Sequence, residues 1–182
     1  MKGIDISAWQ ENINWQAVVD AGIEFVIVKL GQGNNLDSMF VDHINNAVAY
    51  GLKVGVYFYS KATSVEEAQL EAEFVDEQIK EYLNGKCPEM GIWYDVEDPS
   101  MEGSDITSIC KAFIDELDEY DFVGIYSSYN WLTNGNIDMS NINAPMWVAQ
   151  YNYECNIDNP KIWQYTDHFS DDLPYDGNVY YD

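Results

Sequence analysis

Asp95 and Glu97 are the residues of this sequence whose types and spacing most directly suggest chemistry. They stand two positions apart at the end of an apolar, aromatic segment that stops at Pro99. Residues two apart on a strand point to the same side and lie roughly 6–7 Å apart along the backbone. Two carboxyl groups that close cannot ionise independently, so one keeps its proton to a higher pH. An acid and a base in one cleft are what hydrolysis of a glycosidic bond requires.

An acidic strand-to-loop turn without chemistry is the alternative interpretation of this pair. If the pair is catalytic, Glu97 has to be protonated near neutral pH, and Trp93 and Tyr94 are expected to form an apolar wall that raises its pKa.

Asp95, Glu97 and Asp98 also offer oxygen ligands of the kind that bind Mg²⁺ or Ca²⁺. No loop with calcium-ligand spacing surrounds them, so we predict no metal site and no cofactor.

Strands and helices alternate along the chain and position this pair. The hydrophobic pattern predicts eight strands, at residues 3–7, 24–30, 53–60, 91–97, 122–127, 146–151, 162–165 and 178–181. It predicts helices at residues 15–21, 38–50, 64–83 and 105–120, and a short helical turn at 128–131. The acidic residues of the third helix, Glu71 among them, are expected to form its solvated face. Five strand–helix units followed by three strands indicate an α/β fold, an irregular TIM-like barrel in a single domain over residues 1–182.

In such barrels the reactive groups lie at the carboxyl-terminal ends of the strands. The first strand carries another acid, Asp5, and several later strand ends carry aromatic residues. Each aromatic residue taken alone is more often part of a core than a platform for a sugar ring. Their shared placement around an acidic centre favours a polysaccharide groove, whose candidate binding residues include Tyr57, Tyr59, Tyr126, Tyr129, Trp147, Tyr151, Trp163 and Gln164.

Composition and charge exclude several classes of function. Eight basic residues oppose 32 acidic ones, for a net charge of −24. This balance argues against binding to nucleic acid and against electrostatic docking on anionic lipid. No apolar run reaches the length of a membrane span, so membrane insertion is not expected. Cys87, Cys110 and Cys155 show neither a disulfide framework nor a zinc-binding spacing.

The chain resembles glycoside hydrolase family 25, the lysozymes of the Chalaropsis and phage type. The resemblance extends over essentially the whole sequence, because short segments occur in the family's order and spacing. These segments are residues 3–7 with Gln10, 25–29, 49–58, 94–97, 124–126, 147–151 and 163–165. The resemblance implies cleavage of the β-1,4 bond between N-acetylmuramic acid and N-acetylglucosamine in bacterial cell-wall peptidoglycan.

The resemblance also implies roles for individual residues. Glu97 matches the general acid that protonates the leaving oxygen. Asp95 matches a partner that steers the 2-acetamido group of the substrate, which attacks the anomeric carbon in place of an enzyme nucleophile. Asp5 matches a third acid of the cluster, and Lys29 and Tyr57 match positions that line the sugar site. A carboxylate nucleophile is the competing mechanism.

The sequence departs from the family pattern at three positions. Gln32 stands where many relatives have Glu, and Phe58 stands where relatives often have His. Tyr180 stands where many relatives have the Asp of a Val-Asp pair, which supplies a fourth acid. Asp176 and Asp182 are the two alternatives for that acid.

Three other functions are open from the sequence. A chitinase-like glycosidase would carry a further Asp two residues before Asp95, where this chain has Trp93. A non-catalytic glycan-binding barrel would use the aromatic residues equally well but gains little from a strained acid pair. A purely structural barrel leaves the acids at so many strand ends unexplained.

The sequence begins without a basic and apolar leader. We therefore expect either an endolysin that stays cytoplasmic until it is released to the cell wall, or a domain of a secreted protein. Because bacterial walls are also anionic, the net charge suggests that a separate wall-binding domain outside this chain performs the targeting. The sequence gives no prediction of the oligomeric state.

Overall fold

Nine strands form one sheet in the computed structural model, which describes residues 1–181. The strands are β1 (Lys2–Ile6), β2 (Phe25–Gln32), β3 (Asn35–Leu36), β4 (Lys53–Tyr59), β5 (Ile92–Asp95), β6 (Val123–Ser128), β7 (Met146–Ala149), β8 (Ile162–Thr166) and β9 (Asp176–Tyr180). The helices are α1 (Trp15–Asp20), α2 (Phe40–Ala49), α3 (Val65–Tyr82), α4 (Ile106–Glu116) and α5 (Tyr129–Thr133).

Eight of these strands close into a barrel, in the order β1, β2, β4, β5, β6, β7, β8 and β9. Neighbours from β1 to β8 run parallel, whereas β9 runs antiparallel to both β8 and β1 and closes the ring. The short β3 pairs only with the end of β2 and was not predicted. The predicted α/β barrel is therefore confirmed.

The starts of four helices are set by side chains that the sequence places there. The side-chain oxygens of Asn14, Ser64, Asp105 and Ser128 accept hydrogen bonds from backbone N–H groups three residues further on. Such caps satisfy donors that the first helical turn leaves without a partner. α2 has no side-chain cap and begins at Phe40, two residues later than predicted.

Glu71 departs from the predicted solvated face of α3. Its side chain is buried, and it accepts hydrogen bonds from Ser60 Oγ at 2.8 Å, Tyr94 Oη at 2.6 Å and the Lys61 N–H at 3.1 Å. Helical spacing explains this burial, because a residue three positions after the buried Ala68 lies on the same face. Glu71 therefore ties α3 to the ends of β4 and β5.

The barrel interior has an apolar lower layer. It consists of Phe25, Ile27, Met90, Trp93, Tyr126, Trp147 and Ile162. Two inward-facing glycines make room for the largest rings, since a Cβ on Gly3 would lie 2.3 Å from the Phe25 ring and one on Gly124 would lie 2.5 Å from Trp93. The polar residues described next lie above this layer, at the carboxyl-terminal ends of the parallel strands.

Candidate active site

A small pocket of about 80 Å³ opens at the carboxyl-terminal end of the barrel. Its lining residues are Asp5, Tyr57, Asp95, Glu97, Tyr126, Trp147, Gln164 and Asp176. All eight were predicted from the sequence as site residues. Two larger cavities, of about 400 and 570 Å³, contain none of these residues. The structure therefore brings most of the predicted site together in one place.

Asp95 and Glu97 share this pocket because the backbone stays extended beyond the end of β5. The Val96 N–H donates to the Tyr126 carbonyl at 2.9 Å, and Ser127 Oγ donates to the Val96 carbonyl at 2.6 Å. Val96 thus continues the alternation of the strand and places Glu97 on the same side as Asp95. Asp95 is buried, with 4% of its surface exposed, whereas Glu97 is exposed at the mouth.

The predicted apolar wall is wrong for Tyr94. Its ring stacks on Phe113 with the ring centres 3.8 Å apart, and its hydroxyl donates to Glu71 on the helical side of the sheet. The alternation that brings Asp95 and Glu97 together sends Tyr94 to the opposite face. Trp93 does face inward, but it lies in the apolar layer below the acids, where its Nε1 donates to the Met90 carbonyl at 2.7 Å.

Asp5 is held by two amide donors. Gln164 Nε2 lies 2.9 Å from Asp5 Oδ2, and Asn178 Nδ2 lies 2.7 Å from the same oxygen. Asn178 in turn accepts a hydrogen bond from Trp147 Nε1 at 2.8 Å. Asp5 also pairs with Asp176 in the antiparallel register of β1 and β9. The carboxyl group of Asp5 is therefore fixed by the protein itself.

Gln164 links the two sides of the pocket. Besides Asp5, its Nε2 donates to Asp176 Oδ2 at 3.3 Å. Its Oε1 accepts from Tyr126 Oη at 3.0 Å and from Tyr151 Oη at 3.2 Å. These contacts use the two donors and two acceptor sites of a carboxamide. Gln164 is thus bound to protein groups rather than free for a sugar, which differs from its predicted role.

Asn178 is the functional residue that the sequence analysis missed. It is fully buried, yet it carries a polar side chain on the inner face of β9. The signal was present, because Asp176 and Asn178 stand two apart and so point to one side. The predicted strand began only at residue 178, which hid this alternation.

Burial and mutual repulsion raise the pKa values of the four carboxyl groups. Desolvation raises the pKa of Asp95 well above its usual range, and the charge of Glu97 adds to this. Desolvation followed by the charge of Asp176 raises the pKa of Glu97, and the same two causes raise the pKa of Asp5 to about 7. Desolvation, followed by Asp167, raises the pKa of Asp176 to about 6. The pocket therefore keeps protons at a pH where ordinary carboxyl groups have lost them.

Asp95 differs from Asp5 in its hydrogen bonding. Its Oδ1 is buried and has no hydrogen-bond partner among residues 1–181. A buried oxygen without a donor is costly, and in native structures such atoms are rare. Asp95 is thus held less fully by the protein than Asp5, whose Oδ2 receives two amide hydrogen bonds.

Lys29 provides positive charge beside the acids. Desolvation lowers its pKa, while the charge of Asp95 raises it. Its Nζ lies 5.0 Å from the centre of the Tyr59 ring and donates to Gln32 Oε1 at 3.0 Å. Tyr59 Oη donates to Asp98 Oδ2 at 3.1 Å. Lys29 and Tyr59 thus lie next to the pocket without lining it.

Three other predicted site residues do not line the pocket. Tyr151 is exposed at the rim and reaches the site through its bond to Gln164. Trp163 neighbours Gln164 on β8 and so faces outward, where its Nε1 donates to the Gln150 carbonyl at 2.7 Å. Tyr129 begins α5 beyond the end of β6 and is absent from the lining. Asp182 lies outside the described residues.

The three departures from the family pattern have structural explanations. Phe58 is buried on the outer face of β4, with its ring centre 6.0 Å from that of Phe74, so it does not reach the pocket. Gln32 accepts a hydrogen bond from Lys29. Tyr180 ends β9, at the opposite end of the strand from Asp176. Asp176 is therefore the acid of β9 that the structure brings to the site.

Residues 1–181 contain neither a cluster of metal-ligating side chains nor a membrane-spanning helix. No three His, Cys, Asp or Glu side chains in this range are grouped as they would be around a metal ion. Cys87, Cys110 and Cys155 are free thiols. Within the same range, no helix combines the length and the apolar character that crossing a membrane requires.

The sequence of this chain is similar to those of known proteins. Residues 4–172 match the family model described as glycosyl hydrolases family 25. The autolytic lysozyme of Clostridium acetobutylicum is 31% identical over 172 residues, which are 92% of this chain and 51% of that protein. Lysozyme M1 of Streptomyces globisporus is 37% identical over 62 residues, which are 34% of this chain and 21% of that protein. The chain thus spans about half the length or less of these curated relatives.

Solved structures share the fold. The modular autolysin LytC of Streptococcus pneumoniae has a TM-score of 0.83 at 27% identity, over 99% of this chain and 46% of that chain. The catalytic domain of the endolysin ply40, from bacteriophage P40 of Listeria monocytogenes, has the same TM-score at 20% identity, over 100% of this chain and 93% of that chain. The match to the family model covers nearly the whole sequence. The chain belongs to glycoside hydrolase family 25.

Proposed function

We propose that this chain hydrolyses bacterial cell-wall peptidoglycan, at the β-1,4 bond between N-acetylmuramic acid and N-acetylglucosamine. The observation that carries the proposal is the pair Asp95 and Glu97, which line one pocket at the carboxyl end of a family 25 barrel. The names of the relatives support it, since one is an autolytic lysozyme and LytC has been solved with a synthetic peptidoglycan ligand.

Glu97 is the general acid in this proposal. Its carboxyl group is exposed at the mouth, where a glycosidic oxygen can reach it. Desolvation and Asp176 raise its pKa, so it retains a proton closer to neutral pH than an ordinary Glu. It gives this proton to the leaving oxygen as the bond from that oxygen to the anomeric carbon breaks.

Asp95 is the residue that orients the reacting sugar. Its side chain lines the pocket and is not fully occupied by donors from residues 1–181, so its carboxyl group can accept the N–H of a 2-acetamido group. Held in this way, the acetamido oxygen attacks the anomeric carbon as the leaving group departs. Water then attacks the same carbon, the bond to the acetamido oxygen breaks, and Glu97 takes up one proton from the water. The protein ends in its starting state.

The remaining residues hold the substrate and the acids. Tyr57, Tyr126 and Trp147 supply aromatic surface in the pocket. We assign the fourth acid to Asp176, because it lines the pocket and contacts Gln164. Lys29 lies beside the acids, and its positive charge reduces the repulsion among the carboxylates.

We further propose that residues 1–182 act as one catalytic unit at the cell wall, and that targeting depends on a part of the protein outside this chain. The net charge of −24 supports this division, because the wall is anionic as well.

Digestion of purified Gram-positive peptidoglycan tests the proposed bond. Mass spectrometry of the released fragments should show N-acetylmuramic acid at every new reducing end. The Glu97→Gln variant is the matched control and should release none. N-acetylglucosamine at the new ends, or equal cleavage of chitin, would instead favour the chitinase-like alternative.

The competing mechanism uses Asp95 as a nucleophile. A carboxylate nucleophile forms a covalent sugar adduct, which the acetamido route does not. Intact-mass measurement of the chain after trapping with a fluorinated sugar substrate therefore separates the two. The absence of any adduct is the result expected here.

A further inference from the structure

Trp9 is an exposed tryptophan on the catalytic end of the barrel. Its side chain has 90% of its surface exposed, whereas Trp15, Trp93, Trp131 and Trp147 are buried. Tryptophan carries a large apolar surface, so full exposure is unusual for it. The active site described above does not use Trp9.

The loop that carries Trp9 is rigidly held. The Gln10 N–H donates to the Ser7 carbonyl at 3.0 Å, and the Ser7 N–H donates to Gln10 Oε1 at 2.9 Å. The Ala8 N–H donates to Asp37 Oδ2 at 3.1 Å, and His43 Nε2 lies 3.1 Å from the Gln10 carbonyl oxygen. These contacts fix the backbone on both sides of Trp9, so binding has to order only its side chain.

A cavity of about 570 Å³ lies beside Trp9. Trp9, Glu11 and Asn12 line one side, and residues of the loop before β9 line the other, among them Asp172, Pro174 and Tyr175. Glu11, Asn12 and Asp172 are exposed, and their side chains make no hydrogen bond to any of residues 1–181. The cavity therefore combines one aromatic face with polar groups that are free to bind.

The cavity and the catalytic pocket are lined by different residues, but neighbouring positions of the same two segments contribute to both. Trp9 follows Asp5 by four residues, so their Cα atoms lie within about 14 Å of each other. On the other wall, Tyr175 directly precedes Asp176, which lines the pocket. A polymer bound at the acids can thus extend along the same end of the barrel to Trp9.

We propose that this cavity is an additional subsite for a neutral, N-acetylated sugar of the same glycan strand, stacked on Trp9. The proposal rests on the proposed function and extends it along the substrate. Aromatic rings stack on the apolar faces of sugars, and free amides and carboxylates bind their hydroxyl groups. Glu11 and Asp172 are acidic, which disfavours anionic ligands such as the carboxylates of a peptide stem.

Kinetics on long glycan strands tests the subsite. Trp9→Ala should raise KM about tenfold, the loss expected for one stacked aromatic contact of about 1.4 kcal/mol, and leave kcat unchanged. Trp9→Phe should recover part of the affinity. Tyr153→Ala is the matched control, because Tyr153 is also highly exposed but lies outside the cavity. The KM of this variant should equal that of the parent.

An unchanged KM in Trp9→Ala, or an equal rise in Tyr153→Ala, would overturn the subsite. In that case the oligomeric state should be compared. If the parent chain self-associates and Trp9→Ala does not, the surface around Trp9 is a protein interface. A parent chain that cleaves no peptidoglycan would instead refute the proposed function, so the two failures are distinguishable.

Fluorescence quenching gives an independent measurement. In the Glu97→Gln chain, acrylamide should quench the exposed Trp9 strongly, and added glycan strands should reduce that quenching. The Trp9→Phe, Glu97→Gln double variant should show no such protection. Quenching that is unaffected by the strands in both chains would contradict stacking on Trp9.

Discussion

Two regions of the barrel bring a buried carboxyl group to the same pocket: the seam where β9 closes the barrel, and the end of β5. The two carboxyl groups differ in their hydrogen bonding. At the seam, Asp5 receives hydrogen bonds from Gln164 and Asn178. At the end of β5, Asp95 is buried to a similar extent and has an oxygen without any partner among the described residues. Burial alone therefore does not distinguish a structural acid from a reactive one.

The difference shows where the protein leaves room for substrate. The hydrogen bonds of Asp5 are made within the folded chain, so its position is set before any ligand arrives. Asp95 has an oxygen to which no group in residues 1–181 donates a hydrogen bond, and Glu97 beside it is open to solvent. We infer that the chemistry takes place on the β5 side and that the seam holds the pocket in shape.

The largest expected effect concerns the β5 side. Glu97→Gln should reduce the cleavage of cell walls by at least about 10²–10⁴-fold, because the general acid is lost. Its thermal midpoint should be no lower than that of the parent, because the neutral amide avoids the cost of ionising a group whose pKa desolvation and Asp176 raise. A turbidity assay on Gram-positive walls, together with a thermal melt, measures both. Retention of most of the activity would remove Glu97 from its role.

Asp95→Asn should have the next largest effect. The amide keeps the shape but replaces one carboxyl oxygen with an NH₂ group, so it orients the acetamido group less well, and kcat should fall by somewhat less than in Glu97→Gln. Steady-state kinetics on soluble glycan strands provides the measurement. A loss concentrated in KM would indicate binding without any part in the reaction step.

Asp5→Asn should act on stability and its pH dependence. The pKa of Asp5 is about 7 in the folded chain against an ordinary value of 3.8, so the folded state binds the proton more tightly than the unfolded state. Its contribution to stability is then fully present below the lower value and is lost as the pH rises through the upper one. Thermal midpoints of the parent should fall over this window, and those of Asp5→Asn should fall less.

The exposed Asp158→Asn is the control for this measurement, and it should follow the parent at every pH. Part of the decline should persist in Asp5→Asn, because the pKa of Asp176 is also raised, to about 6. A parental midpoint that rises between pH 4 and pH 7 would contradict the assigned direction of the Asp5 shift.

The smallest expected effects are shifts of the pH profile of kcat/KM, in opposite directions for two variants. Asp176 raises the pKa of Glu97 and Lys29 lowers it. Asp176→Asn should therefore move the alkaline limb of kcat/KM to lower pH, and Lys29→Met should move it to higher pH, since Glu97 must be protonated to act. Shifts in the same direction for both variants would show that another group controls this limb.

Local periodicity was enough to predict that Asp95 and Glu97 share one pocket. The two-residue repeat of a strand placed Asp95 and Glu97 on one side, and the same repeat accounts for the outward positions of Tyr94 and Trp163 that the sequence analysis misjudged. Tyr94 and Trp163 belong to motifs whose neighbouring residues face the pocket, but the alternation along the strand places these two side chains on the opposite face.

Long-range contacts were beyond the reach of the sequence. Asp5 meets Gln164 across 159 positions and Asn178 across 173 positions, and no local pattern specifies either contact. The burial of Glu71 depends in the same way on Ser60 and Tyr94, which other strands bring to it. The barrel could be predicted because each strand carries its own hydrophobic pattern, whereas these partners exist only after closure.

Closure by β9 makes the site a late event in folding. β1 is synthesised before β8 and β9, so Asp5 acquires its two amide donors only after both of these strands have joined the sheet. Contacts of such high sequence separation form slowly, because a long loop has to be ordered before they can form. A nascent chain on the ribosome therefore has no finished pocket until β9 has emerged.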